Sequence, residues 1–348
     1  MKRQMITTWL GLALLGAPAC AQQPPEPARE TLNSRLAGDL APTHDPVIIR
    51  EGDTYHVFST GHGKRLIETR TSTDLVTWKA GDPVFTALPA WASQAIPGSN
   101  GMWAPDMSHV DGRYRLYYSV STFGSNRSAI GLATAKTLDR ASRDYGWRDE
   151  GLVIMSTTAD DFNAIDPHFI IDRDGRHWLA LGSFWTGIKL FELDPKTGKP
   201  KDPGAQPISL ARRPAPAGAP APVEAPFIID HGGYYWLMVS YDYCCKGVNS
   251  TYYTVIGRSK AITGPYVGKD GSKLMEGGGT IFLRADLQEQ QRWRGPGHAG
   301  WLHDKDSKTG KNTDYVVYHA YDRQANGAPT LRIAPVIWGD DGWPVAQY

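Results

Sequence analysis

Val223-Glu224-Ala225-Pro226 leads into the apolar run Phe227-Ile228-Ile229-Asp230, a turn at Gly232-Gly233, and the aromatic run Tyr234-Tyr235-Trp236. The same order of parts recurs along the chain. His44-Asp45-Pro46 precedes Val47-Ile48-Ile49, a turn at Gly52-Asp53 and Tyr55-His56-Val57-Phe58. Trp103-Ala104-Pro105-Asp106 precedes Met107 to Val110, Asp111-Gly112 and Tyr114 to Tyr118. Ile165-Asp166-Pro167 precedes His168 to Ile171, Asp174-Gly175 and His177 to Leu181. A looser fifth copy runs from Gly297-His298-Ala299 through Trp301-Leu302 to Tyr315-Val316-Val317-Tyr318. Measured between Asp45, Asp106, Asp166, Glu224 and His298, the intervals are 61 (106−45), 60 (166−106), 58 (224−166) and 74 (298−224) residues.

Each unit holds two further segments. The third segments are Ile67 to Ser72, Ile130 to Ala135, Ile188 to Leu193, Tyr253 to Arg258 and Leu331 to Ile333. The fourth are expected at Pro83-Val84-Phe85, Leu152 to Ile154, Ile208 to Leu210, Thr263-Gly264-Pro265-Tyr266 and Asp341 to Val345. Four short strands repeated five times define an all-β, five-bladed propeller with a cavity on the central axis. A β-sandwich would not place an acid or His, a strand, a turn and an aromatic strand in the same order five times.

The composition agrees. Glycine (37), proline (25) and aromatics (11%) among 348 residues favour many strands and tight turns over long helices. The formal charge is +1 and no basic stripe interrupts the pattern, which argues against a nucleic-acid partner and for a neutral one. Residues 1–21 read as a signal peptide: Lys2-Arg3, an apolar stretch from Ile6 to Leu15, and small-residue cleavage sites around Ala19 to Ala21. The apolar stretch is too short for a membrane-spanning helix. The mature product is expected to be exported, periplasmic or secreted, and monomeric. Lipidation at Cys20 is the alternative, because Ala17-Pro18-Ala19 matches a lipoprotein box poorly. Residues 22–40 read as a Pro-rich linker and N-terminal arm, and residues 41–348 as a single propeller domain. The Pro- and Ala-rich stretch from Pro200 to Pro222 reads as a surface loop. Cys244 and Cys245 are adjacent, so they are either a vicinal disulfide ring or two buried small hydrophobes, the second being favoured.

In a propeller, equivalent positions at the starts of inner strands converge on one end of the axis. That gathers Asp45, Asp106, Asp166, Glu224 and His298. Crowded carboxylates must be protonated, paired or hydrogen-bonded, and a pair with separated pKa values acting on a neutral substrate points to glycoside hydrolysis. Trp103, Phe123, Phe184 and Trp185 supply flat faces that could stack on sugar rings, or belong to the core.

The ordered motifs His44-Asp45-Pro46, Trp103-Ala104-Pro105-Asp106, Ser119 to Gly124, Asn163-Ala164-Ile165-Asp166-Pro167, Gly182-Ser183-Phe184-Trp185, Glu224-Ala225-Pro226 and Gly297-His298 resemble glycoside hydrolase family 43, and within it the endo-α-1,5-L-arabinanases. The resemblance implies a five-bladed inverting enzyme acting on α-1,5-L-arabinan or arabino-oligosaccharides. It implies Asp45 as general base, Glu224 as general acid, and Asp166 as the residue that orients the acid and raises its pKa. His44, Trp103, Phe123, Asn163, Ser183, Phe184 and Trp185 then contact substrate. His298 matches the histidine that holds a calcium ion at the base of the cavity, with water completing the shell. Asp106 matches no catalytic role and reads as structural or sugar-binding. An exo-acting arabinofuranosidase or β-xylosidase of the same fold is the nearest alternative; a propeller that binds glycan without catalysis is the alternative of another class.

Overall fold

The computed structural model describes residues 30–215, 219, 221–287, 289–305 and 310–348. The signal-peptide reading, Cys20 and the start of the Pro-rich segment lie outside those residues. Residues from Thr31 onward form one compact unit of five sheets, antiparallel except where Ala37–Gly38 joins the first. The sheets are the five blades of a propeller. Their inner strands are Val47–Glu51, Gly101–Val110, His168–Ile171, Val223–His231 and Trp293–Lys305. The second strands, Thr54–Ser59, Arg113–Val120, His177–Leu181, Tyr234–Tyr241 and Asn312–Asp322, carry the aromatic runs.

The second strands bury nearly every side chain, because each sheet packs both of its faces against its two neighbours. The result is five apolar clusters among the described residues, one at each inter-blade junction. Phe227, for example, packs on the clusters of two junctions. The hydrophobic core is therefore a ring of junctions, and Phe227, which reaches two that are not neighbours, spans the middle between them.

The starts of the inner strands share one backbone feature. Asp45, Ala104, Asp166, Ala225 and His298 all have left-handed φ values, of 53°, 47°, 57°, 56° and 49°. Such values are uncommon for residues with a β-carbon. In blades two, four and five this residue lies in a β-bulge, where pairing slips between Trp103 and Asp106, Glu224 and Phe227, and Gly297 and Gly300. A bulge frees one residue from the ladder and re-aims its neighbours. The true equivalent positions are thus Ala104 and Ala225, not Asp106 and Glu224 as the sequence intervals suggested.

That shift decides the role of Asp106. Its buried carboxylate accepts the Phe169 N–H at 2.8 Å and lies 3.2 Å from His168 Nδ1, while His168 Nε2 lies 2.9 Å from the Ile228 carbonyl. Asp106 ties the inner strands of blades two, three and four together.

Other expectations need correction at the blade rims. The fourth strand of blade one is Thr77–Ala80, and Phe85 makes only a bridge to Leu66. In blade four it is Thr280–Leu283, while Gly264-Pro265 is a turn. The described part of the N-terminal arm is docked: Ala37–Gly38 pairs in parallel with Thr77–Ala80, and Asn33 bonds both Tyr318 and the Ile333 N–H. Arg50 and Tyr55 on blade one both reach Asp304 on blade five, at 2.7 and 2.8 Å, where the ring closes. Cys244 and Cys245 form a vicinal disulfide on the surface instead of two buried thiols.

Asp106→Ala is expected to lower the unfolding free energy by about 3 kcal/mol, because it strands a buried N–H and an imidazole. Urea unfolding measures this; a change within about 0.5 kcal/mol, the usual range for surface substitutions, would remove Asp106 as a tie between blades.

Candidate active site

The left-handed residues cannot give their N–H groups to their own ladder, so each gives it to a polar side chain. Asp45 donates to His319 Nδ1 (3.2 Å), Ala104 to Thr60 Oγ1 (2.9 Å), Asp166 to Ser119 Oγ (3.0 Å), and His298 to Ser240 Oγ (3.0 Å). These four acceptors lie in the C-terminal part of the preceding blade's second strand or directly after it. The exception is Ala225, which donates to Asp166 Oδ2 at 3.1 Å. The equivalent hydroxyl there, Ser183, instead donates to Glu224 Oε2 at 2.6 Å. At this one junction the ring exchanges partners, and Asp166 and Glu224 are brought side by side.

Asp45 has a different setting. Its Oδ1 lies 3.0 Å from His44 Nδ1, 3.1 Å from His298 Nδ1 and 3.7 Å from His319 Nδ1, and its Oδ2 accepts the Thr60 hydroxyl at 2.5 Å. Burial alone would push this carboxyl up, but the His44 and His298 imidazoles outweigh it and hold Asp45 well below the usual carboxylate range. Asp166 moves the other way. Burial is the largest cause, the Glu224 and Asp45 charges add to it, and its carboxyl stands well above the usual range. Glu224 is also raised, chiefly by burial, against the Ser183 and Tyr252 hydroxyls that favour its charged form. Burial, rather than the Asp166 charge expected from the sequence, leads on Glu224. Two buried neighbouring carboxyls that both resist ionisation favour retaining a proton between them.

His298 answers this charge. Burial lowers its pKa, yet the ion pair with Asp45 and the charges of Asp166 and Glu224 carry it up to about 9. His319, fully enclosed and facing other imidazoles, is held well below the ordinary value by burial, and so is neutral. One carboxylate is thus kept charged and two are kept inclined to protonation, within one set of contacting groups.

His44, Asp45, Asp166, Ser183, Glu224 and His298 come together as the sequence indicated, with Ser183 bonded to the carboxyl of Glu224. Phe184 and Trp185 follow in left-handed conformations at the same rim, and Phe184 lies 5.7 Å from the Tyr243 ring. Asn163 is buried and its amide oxygen has no partner among the described residues; the Trp103 indole N–H is likewise buried and unpartnered. Phe123 stands on a turn, 85% exposed. The sequence reading missed Thr60, Tyr252, His319 and Tyr321. His319 stacks on both His44 (4.0 Å between ring centroids) and Tyr252 (6.0 Å). Thr60, Ser119, Ser183 and Ser240 recur at the C-terminal ends of the second strands or just after them and were the available signal.

The residues suit a cation. His298 Nδ1 is turned to Asp45, so a hard divalent ion would meet only Nε2 of the neutral ring, its charge taking the place of the imidazolium's and water supplying most of the oxygen shell. Ligand atoms of His44, Asp45 and His319 also lie within 4.8 Å of one another. A separate cleft of about 560 Å³, lined by Glu51, His56, Phe58, Arg140, Tyr145 and Trp147 among others, contains none of the axial groups.

A propeller whose axis gathers carboxyls of opposed proton affinity is the architecture of a glycoside hydrolase that works by acid and base. The family model for glycosyl hydrolases family 43 matches residues 41–344, and the chain belongs to that family. It is 45% identical over 303 residues to an extracellular endo-α-(1→5)-L-arabinanase of Bacillus subtilis, covering 86% of each chain. It is 42% identical over 309 residues to an extracellular exo-α-(1→5)-L-arabinofuranosidase of Cellvibrio japonicus, covering 86% of this chain and 85% of that one. A solved exo-1,5-α-L-arabinanase from a bovine ruminal metagenomic library superposes with a TM-score of 0.81 at 43% identity, over 90% of this chain and 99% of the other. The protein is an enzyme, so the reading as a non-catalytic glycan binder falls away.

Removing the Ser183 hydroxyl takes away a bond that favours ionised Glu224. Ser183→Ala is therefore expected to raise the Glu224 pKa further, read by carbon-13 titration of the labelled carboxyl; a pKa that stays or falls would contradict the assigned contact.

Proposed function

We propose that the protein hydrolyses α-1,5-L-arabinofuranosidic bonds in arabinan with inversion at the anomeric carbon. The observation that carries this reading is the opposed setting of the axial carboxyls. Asp45, held ionised by His44 and His298, is the general base that takes a proton from the attacking water. Glu224, raised by burial, is the general acid that protonates the leaving oxygen. Asp166 fixes the geometry of that acid through the Ala225 N–H and shares its reluctance to ionise. The orphaned Asn163 oxygen and Trp103 indole N–H are suited to sugar hydroxyls, and Phe184 and Trp185 to sugar faces.

The sign of the pH dependence follows. As pH falls, activity is lost only when Asp45 takes up a proton, so the acidic limb lies below the ordinary carboxylate range. As pH rises, activity is lost when the Asp166–Glu224 pair gives up its proton, so the alkaline limb lies above that range. A bell with both limbs near the ordinary carboxylate pKa would contradict the assignment.

Endo action is favoured by the likeness to the B. subtilis enzyme; exo action is the second reading, because relatives of both kinds match almost equally well. Product sizing from linear arabinan separates them. Early oligosaccharides of mixed length are expected, and arabinose as the sole first product would establish exo action. A panel with branched arabinan, xylan and aryl β-xylosides tests the sugar. Export is proposed from the signal-like residues 1–21 and from the extracellular relatives.

Asp45→Ala is expected to lower kcat by about 10³-fold with substrate binding retained, the scale of a lost general base. We also propose a calcium ion at His298, where it would supply positive charge to the cavity. Chelation is expected to lower the thermal midpoint and calcium to restore it; an unchanged midpoint, with no calcium detected by elemental analysis, would exclude the ion.

A further inference from the structure

The wall of the site contains one reactive bond that hydrolysis does not use, the Cys244–Cys245 disulfide. Its position is unusual. The Cys245 N–H donates to the Tyr321 hydroxyl at 2.7 Å, that hydroxyl lies 2.7 Å from His44 Nε2, and His44 Nδ1 lies 3.0 Å from Asp45 Oδ1. Cys245 Sγ itself is 3.9 Å from His44 Nε2. A carboxylate only accepts, so the His44 Nδ1 that faces Asp45 carries a hydrogen. The Tyr321 hydroxyl is the partner of the other ring nitrogen, and the Cys245 N–H fixes where that hydroxyl stands. The backbone donor in the ring thus sets the position of Tyr321, and with it the plane in which His44 meets Asp45.

Cys245 holds that donor in place at φ 67°, a left-handed conformation that a residue with a β-carbon leaves when nothing retains it. The disulfide supplies the retention, because it ties the Cys245 side chain back to its own neighbour across a single peptide. With the bond open, Cys245 can return to negative φ, which turns its N–H away from Tyr321.

We infer that the Cys244–Cys245 disulfide is a redox-sensitive positioning device for Asp45, acting through Tyr321 and His44 and setting catalytic rate without touching the substrate. This rests on the reading of Asp45 as the general base. Cys245 is exposed and Cys244 half-buried, so a small dithiol reaches the bond. One thiolate of the dithiol attacks a cysteine sulfur and the S–S bond breaks. The second thiolate then closes the reagent into a cyclic disulfide, releasing two protein thiols that carry the reagent's two protons. The reagent loses two electrons and the protein gains two. In an oxidising compartment the ring is closed and the enzyme is at full rate.

The test uses the full exported chain on linear arabinan, before and after dithiothreitol, with free thiols counted by a chromogenic disulfide. Reduction, or the Cys244→Ser/Cys245→Ser double variant, is expected to lower kcat about fivefold, the worth of one lost hydrogen bond, with KM and the thermal midpoint unchanged. Reoxidation of the wild type restores kcat, and dithiothreitol leaves the double variant unaffected. Tyr321→Phe, which lacks the hydroxyl that links the ring to His44, has the lower kcat already and loses no more on reduction. An unchanged kcat in the double variant overturns the inference. So does a change in KM alone, which would make the ring a substrate contact, or a kcat loss that merely follows a fall in thermal midpoint. Asp45→Ala is measured alongside: if it stays active, the base assignment itself has failed, whereas an inactive Asp45→Ala beside a redox-insensitive double variant sinks only the switch.

Discussion

The structure turns on five N–H groups that cannot be satisfied by their own strands. At the mouth of each blade the chain passes through one left-handed residue, and its N–H must leave the sheet to find an acceptor. Four times the acceptor lies at or just past the second strand of the preceding blade: Thr60, Ser119, Ser240 and, across the closure, His319. The requirement welds neighbouring blades at the rim of the cavity, where the apolar junctions no longer reach. It also aims the side chains of Asp45, Asp166 and His298 at the axis. Chemistry arises where the ring departs from its rule. At the fourth blade a carboxylate, Asp166, takes the N–H that a hydroxyl takes elsewhere, and the displaced Ser183 turns to Glu224.

The same ring sorts the carboxyls electrically. Asp166 and Glu224 are buried and Asp45 half-buried, and desolvation alone would raise every one of them. Only Asp45 touches His44 and His298, so only Asp45 is pulled below the ordinary range. Asp166 and Glu224 are left to resist ionisation together, and the positive charge on His298 keeps the cavity from carrying an excess of negative charge. A single cluster of imidazoles therefore separates base from acid, and their separation is a property of contacts rather than of residue type.

Much of this was legible in the chain. The period was readable because inner and second strands are buried, so their apolar and aromatic residues cannot drift. The fourth strands of blades one and four were misplaced because they lie at blade edges, where Thr77–Ala80 keeps only Trp78 buried and leaves little pattern to read. Aligning the units by their acids placed Asp106 and Glu224 in the frame of Asp45; aligning by the residue before proline would have selected Ala104 and Ala225 and taken Asp106 out of that frame. Glu224 thus reaches the site from the position before the frame, beside the bulge, and its resemblance to the family carried more than the period did. His319 and Tyr321 were hidden because they sit in an aromatic strand that reads as core. The cysteine pair left two readings open from sequence, and the less favoured one is what the fold contains.

The claim on which the account rests most heavily is that Glu224 delivers the proton to the departing oxygen. The direct measurement compares Glu224→Ala with the unmodified enzyme on aryl arabino-oligosaccharides whose leaving groups span a wide range of acidity. A dinitrophenolate leaves without help, whereas a sugar alkoxide does not. The account predicts that the variant retains turnover within about tenfold on the dinitrophenyl substrate and loses about 10³-fold on arabinan, with a steep dependence on leaving-group pKa between them. An equal loss on every substrate would contradict it, and would leave Glu224 as a residue that holds the site together without donating the proton.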